Sequence, residues 1–168
     1  MADLLKPARG GFLRVFGLGW FIWQFLLGEG PYGSPRIDPL VGAPEADIFR
    51  YYKLALMQAY AWEKATAVEE RRARREGRYI DPDRITELAN RYLGQMKYKA
   101  HGCRYHSFVV YFSNLKRLGW VEESGKVEPS AFQDYYPEGQ PRKYFRLTKA
   151  GREASEADWA NPHRALYG

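Results

Sequence analysis

The sequence predicts a mainly α-helical fold that closes with a two-stranded antiparallel hairpin, and three observations predict it. From Glu45 to about Arg75 the chain has no Gly or Pro and is rich in Ala, Leu, Met, Glu, Lys and Arg. Two further segments with helical apolar spacing follow, separated by His101-Gly102. After Gly119 the period shortens to the alternation of strands. The length of 168 residues suits one compact domain, or one domain with an arm. Hydrophobic residues make up 45% and charged residues 27%, a globular balance that excludes a disordered chain. Five Trp, thirteen Tyr and nine Phe require a well-buried core or a large contact surface.

The elements follow in order. Residues 12–27, FLRVFGLGWFIWQFLL, are the most apolar stretch, but only thirteen residues from Val15 to Leu27 precede Gly28, and they include Gln24. A membrane span needs roughly 20 apolar residues. Arg9 and Arg14 ahead of this run resemble a signal-peptide layout, yet no convincing small-residue cleavage site follows. The expectation is a buried helix or a partner-binding arm and no membrane, with a membrane-tethered regulator using residues 12–27 as the rival reading. Four prolines and four glycines in residues 28–44 predict an extended connector without a regular element.

A long helix is expected over 45–76, stopped by Gly77, with a length of roughly 45 Å. Its first half is apolar nearly all round (Ile48, Phe49, Tyr51, Tyr52, Leu54, Leu56, Met57, Tyr60, Trp62) and must be covered by the arm, the rest of the fold, or a second copy. Asp81 is a natural N-cap, Pro82 suits the first helical position, and Asp83 favours the positive end of the dipole. Apolar positions at Ile85, Leu88, Ala89, Tyr92, Leu93, Met96 and Ala100 then mark one helix face. A third helix is expected from about Arg104 to Leu118. Trp120 to Glu123 reads as a strand, residues 124–141 as a polar excursion bearing Phe132, Tyr135 and Tyr136, and Lys143 to Leu147 as the returning strand. A last helix is expected over 150–160.

Helix, helix, Gly-containing turn, helix and hairpin is the order of a winged helix-turn-helix. The fold expected is therefore mainly α, a winged helix-turn-helix with a long N-terminal helix, an aromatic N-terminal arm and a two-stranded wing. Its parts are an arm and connector (1–44) and a domain (45–168) holding the helix-turn-helix (81–118) and the wing (120–147). The segments SNLKRLGWVEE and PRKYFRLTKAGRE, with Ile85 to Asn90 as a second helix, resemble winged-helix transcriptional regulators of the MarR and PadR kind over residues 79–154. That resemblance implies a recognition helix ending in Leu-x-x-Leu and a basic wing. Two departures are the longer segment between Glu87 and the wing and the longer wing itself.

The third helix, read at 100° per residue, places Phe108, Phe112, Leu115, Tyr105, Tyr111 and Leu118 on one side. The opposite arc holds His106, Ser107, Val110, Ser113, Asn114 and Arg117, a set able to read base edges in a major groove or to serve as an ordinary solvated face. Net charge is +6. Lys97, Lys99, Arg104, Lys116 and Arg117 lie in an acid-free segment, and so do Arg142, Lys143, Arg146, Lys149 and Arg152. Phosphate neutralisation explains such clustering. The candidate DNA-binding residues are thus His106, Ser107, Ser113, Asn114, Arg117, Lys116, Arg104, Lys97, Lys99, Arg142, Lys143 and Arg146. A third cluster, Arg71, Arg72, Arg74, Arg75 and Arg78, is open to three readings: complement to the helix dipole, solvated tail, or phosphate contact.

His101-x-Cys103-x-x-His106 offers three metal ligands where a structural zinc wants four, so no metal or other cofactor is expected. No phosphate-loop, G-x-S-x-G or HExxH pattern and no cysteine pair is present, and no enzyme is expected. Glu69-Glu70 and Glu122-Glu123 read as solvated faces. The single Cys103 excludes an intramolecular disulfide and fits a reducing, cytoplasmic compartment. The expected partners are double-stranded DNA and a second copy of the chain, paired through residues 11–27 and 45–70. The alternative is a winged-helix interaction module or subunit of a larger assembly, with the arm and long helix as working surfaces.

Overall fold

The computed structural model describes residues 16–98, 104–128 and 141–167. Gly17, in extended backbone, precedes α1 (Leu18–Leu26), whose Leu18, Phe21, Ile22, Phe25 and Leu26 are buried. Among the described residues no helix is long and apolar enough to cross a membrane. The connector is more regular than its composition predicts. It carries a 3₁₀ turn (Pro31–Gly33) and a two-residue strand β1 (Ala43–Pro44).

Helix α2 runs from Glu45 to Glu76 as the sequence predicts. Gly77 ends it with a φ of 65°, the left-handed region that a Cβ disfavours. The Gly77 N–H donates to the Arg74 carbonyl and the Arg78 N–H to the Ala73 carbonyl, which closes the last turn in a Schellman motif. Helix α3 (Pro82–Gln95) starts as expected, with the Asp81 carboxylate accepting from the Asp83 N–H at 3.0 Å. It stops earlier than its apolar pattern suggests, at extended Met96, because Gly94 and Gln95 are exposed and gain no packing there. Ala100 lies outside the described residues.

Helix α4 (Tyr105–Arg117) is followed by β2 (Val121–Glu128) and β3 (Arg142–Leu147). The sheet order is β1-β3-β2, all antiparallel, with Val121 opposite Leu147, Glu128 opposite Arg142 and Ala43 opposite Phe145. The aromatic excursion with Phe132, Tyr135 and Tyr136 lies outside the described residues. The single last helix expected over 150–160 is instead three short ones, α5 (Lys149–Glu153), α6 (Glu156–Ala160) and α7 (Pro162–Tyr167). The chain turns extended at Ala154, and the Ser155 hydroxyl then accepts from the Asp158 N–H and starts a new helix.

Contacts divide the described chain into two compact units, one of residue 16 with 53–98 and the other of 17–52 with 104–167. The first unit has a small core of Ala65, Ile85, Leu88 and Ala89, edged by Val68 and Tyr92. Beside it Glu69 is 0% exposed, against the expectation of a solvated face. Its carboxylate accepts from Arg78 Nη1 at 2.6 Å and Nη2 at 3.0 Å, and from the Asp81 N–H at 2.9 Å. One buried side chain thus fixes the turn between α2 and α3. Arg78 holds the Glu69 carboxyl down to about 2 from an ordinary 4.5.

The second unit is built on aromatic contacts. Phe49 meets Phe108 at 5.3 Å, Phe108 stacks on Phe112 at 5.8 Å, and Phe112 meets Phe145 edge-on at 5.3 Å. Trp159 is 0% exposed, lies 4.8 Å from Trp120 and 6.3 Å from Trp23, and donates its indole N–H to the Gly151 carbonyl at 2.9 Å. Phe21 packs on Tyr52 at 5.4 Å. Gly19 lets α1 approach the Trp159 carbonyl where any Cβ would collide. Residues 17–44 therefore belong to this unit and do not form a separate arm. The apolar part of the arm within 17–27 is covered by this chain's own Tyr52 and Trp159, so its burial requires no second copy. Residues 11–15 lie outside the described residues.

Candidate nucleic-acid interface

Helix α4 presents two faces, and the apolar spacing determines which is which. Phe108, Phe112 and Leu115 are buried, while His106, Ser107, Val110, Ser113 and Arg117 are exposed and Asn114 is half-buried. The polar arc expected for base reading thus faces solvent. Tyr105, expected on the buried side, is 47% exposed, although its ring still lies 5.2 Å from Phe49. Arg104 is the N-cap residue of α4 and exposed. Lys97 is exposed in the other unit, and Lys99, with His101 and Cys103, lies outside the described residues.

Arg117 has a local partner that sequence spacing did not reveal. Its Nη1 donates to the Tyr167 hydroxyl at 2.7 Å, and its guanidinium lies 5.5 Å from the centre of that ring. The contact is exposed, so the guanidinium exchanges it readily for another acceptor.

The remaining candidates do not form an open cationic surface. Arg142 is ion-paired to Asp47 and, at 3.4 Å, to Glu128. Arg146 meets Glu122 at 3.1 Å and donates to the Leu40 carbonyl at 3.1 Å. Lys116 pairs with Glu45 at 3.1 Å and lies over the Phe145 ring at 4.5 Å. Lys143 pairs with Glu123 at 3.3 Å, both ends being half exposed to water. The Tyr144 hydroxyl donates to Glu128 at 2.8 Å, which raises its pKa. Segments that are acid-free along the chain are therefore not acid-free in space. Glu45 and Asp47 come from the first turn of α2, and Glu122, Glu123 and Glu128 from β2.

A phosphate reaching Arg142, Lys143 or Arg146 would compete with the carboxylates that already pair with them. Arg142 and Arg146 brace β3 against α2, β2 and the connector, and Lys143 is the most exposed of the three wing candidates. Nothing in the sequence placed Glu45 and Asp47 beside the wing, because the β1–β3 pairing that carries them there had no sequence signal. No family model, no curated protein and no solved structure matches the chain.

Proposed function

We propose that the chain binds double-stranded DNA through the exposed arc of α4 and acts as a transcriptional regulator of winged-helix type, working as a homodimer. The observation that carries this reading is the composition of that arc. His106, Ser107, Ser113, Asn114 and Arg117 put hydrogen-bonding groups on the solvent side of a helix that contains no acid. Arg117 suits a guanine, Asn114 an adenine, and the serines bases or phosphates. Arg104 and Lys143 add phosphate contacts, so affinity should depend on salt with a log–log slope of about −2 to −4.

The test is anisotropy on a duplex selected from a random pool and on unselected duplex. Arg117→Ala should lose about 1–3 kcal/mol on the selected site and little on random DNA. Equal losses on both would reduce Arg117 to a phosphate contact. Because Tyr167 competes for the same guanidinium, Tyr167→Phe should leave binding intact or tighten it.

A second reading is supported by the ion-paired wing, in which most cations already have carboxylate partners. There the same unit is an interaction module of a larger assembly. Affinity for DNA that is absent at moderate salt, with no selected sequence, would favour this module.

A further inference from the structure

Val110 is an apolar residue in the middle of a polar arc, and the function proposed for that arc gives it no role. At 100° per residue, His106, Ser107, Ser113, Asn114 and Arg117 all fall within about 60° of it on the solvent side of α4. Val110 is 51% exposed, while Phe108 and Phe112 on the other side are buried, so its branched carbons add little to the core of this unit. Valine is also a weaker helix former than alanine. Neither packing nor helix formation therefore calls for valine at this position. Tyr167 meets the arc at Arg117, roughly two turns and about 10 Å further along the axis, so it does not occupy the middle.

A helix that enters the major groove brings the centre of its exposed arc closest to the base edges. Those edges are rows of nitrogen and oxygen donors and acceptors, and the one apolar group among them is the 5-methyl of thymine. Set against the N7 or O6 of guanine, or the amino group of cytosine, a valine strips water from a polar group and returns no hydrogen bond. Set against the methyl, it removes apolar surface of both partners from water. On a helix its χ1 is nearly fixed, so it cannot swing aside to spare a polar edge. One base is favoured and the others are penalised.

We infer that Val110 is a specificity-determining residue of the α4 arc, selecting a pyrimidine that carries a 5-methyl group, which in unmodified DNA is thymine. The inference rests on the reading of α4 as the helix that enters the groove. It adds an apolar contact to the hydrogen-bonding residues assigned there.

The test uses the full chain and a duplex selected from a random pool, with each thymine replaced in turn by deoxyuridine, which lacks only the methyl. For wild type one position should lose about threefold to tenfold in affinity, as expected for one buried methyl and the surface it covers. Val110→Ala should bind the thymine duplex about as weakly as wild type binds the uracil one, and should no longer distinguish the two. The position is exposed and alanine favours helix, so circular dichroism should show this variant folded. On unselected duplex the two proteins should bind alike. Cytosine and 5-methylcytosine at the same position separate the two sources of the methyl. A gain of the same size with the methylated base means that any 5-methylpyrimidine is accepted; no gain confines recognition to thymine. The inference is overturned if no thymine responds to loss of its methyl, or if the response survives in Val110→Ala. Arg117→Ala separates that failure from failure of the underlying reading. A loss confined to the selected duplex keeps α4 in the groove even where Val110 selects nothing, whereas a pool that yields no preferred sequence removes both.

Discussion

Glu69 illustrates how one side chain determines local structure. In the sequence it sits in a run of charges and looks solvated; in the fold it is buried and accepts three hydrogen bonds from Arg78 and Asp81. Its carboxyl is held at about 2, below its ordinary 4.5, so ionised Glu69 stabilises the fold above pH 4.5. That contribution is lost as pH falls from 4.5 toward 2. Arg78→Ala leaves the buried carboxylate without its cation and should lower the melting temperature by on the order of 5–10 °C at neutral pH. Glu69→Gln should also destabilise at neutral pH, and its deficit against wild type should shrink across the same acid window. Melts followed by circular dichroism check both; a deficit constant with pH would mean that the charge of Glu69 contributes nothing. Arg142 offers a parallel case. Since Asp47 and Glu128 hold it, Arg142→Ala should lower stability while leaving the salt slope for DNA unchanged. Lys143→Ala should do the reverse, flattening that slope by about one unit.

Two glycines separate conformational from steric demands at the level of elements. Gly77 has positive φ, but a Cβ there would meet nothing within 4 Å, so Gly77→Ala should cost only the left-handed backbone, about 1–2 kcal/mol. Gly42 also has positive φ, and its Cβ would be driven into the Phe145 carbonyl. Gly42→Ala should therefore destabilise more than Gly77→Ala in urea unfolding, because it displaces β1 from β3 as well. The same distinction explains which elements were legible. The boundaries of α2, the start of α3 and the range of α4 depend on caps, Gly stops and apolar spacing, which are local signals. β1 has only two residues, one of them Pro44, and its pairing with β3 is a long-range event that no local pattern announces. The break between α5 and α6 rests on two extended residues, Ala154 and Ser155, inside a composition that reads as continuous helix.

For the molecule as a whole, the aromatic content was a sound signal of a packed core, but the choice of what covers it was not legible. Residues 17–27 suggested a partner surface because the winged-helix elements alone supplied no cover for them. The cover comes from Tyr51 and Tyr52 of α2 and from Trp159, on a helix of five residues that approaches α1 closely at Gly19. Trp159→Ala should cost about 3–5 kcal/mol, the range for deleting a fully buried large side chain. Deleting residues 17–44 should expose the opposite surface and give aggregated protein by size-exclusion chromatography. A soluble truncated chain with native melting behaviour would show that this packing is dispensable. For the candidate interface, the direction of the α4 arc was legible from angular spacing. The neutralisation of the wing was not, because charge counted along a chain ignores acids brought in from elsewhere.

The sheet has a consequence for association. One edge is β1, two residues long, with Pro44 lacking an N–H and α2 beginning immediately after it. The other edge is β2, where the register shifts between Glu123 and Val127 around Gly125 and the exposed side chains include Glu122, Glu123 and Lys126. Neither edge offers an uninterrupted row of donors and acceptors to an incoming strand. The sheet is thereby a poor template for β-augmentation or cross-β stacking, and a macromolecule that engages this unit must do so through side chains and helix faces rather than by extending the ladder.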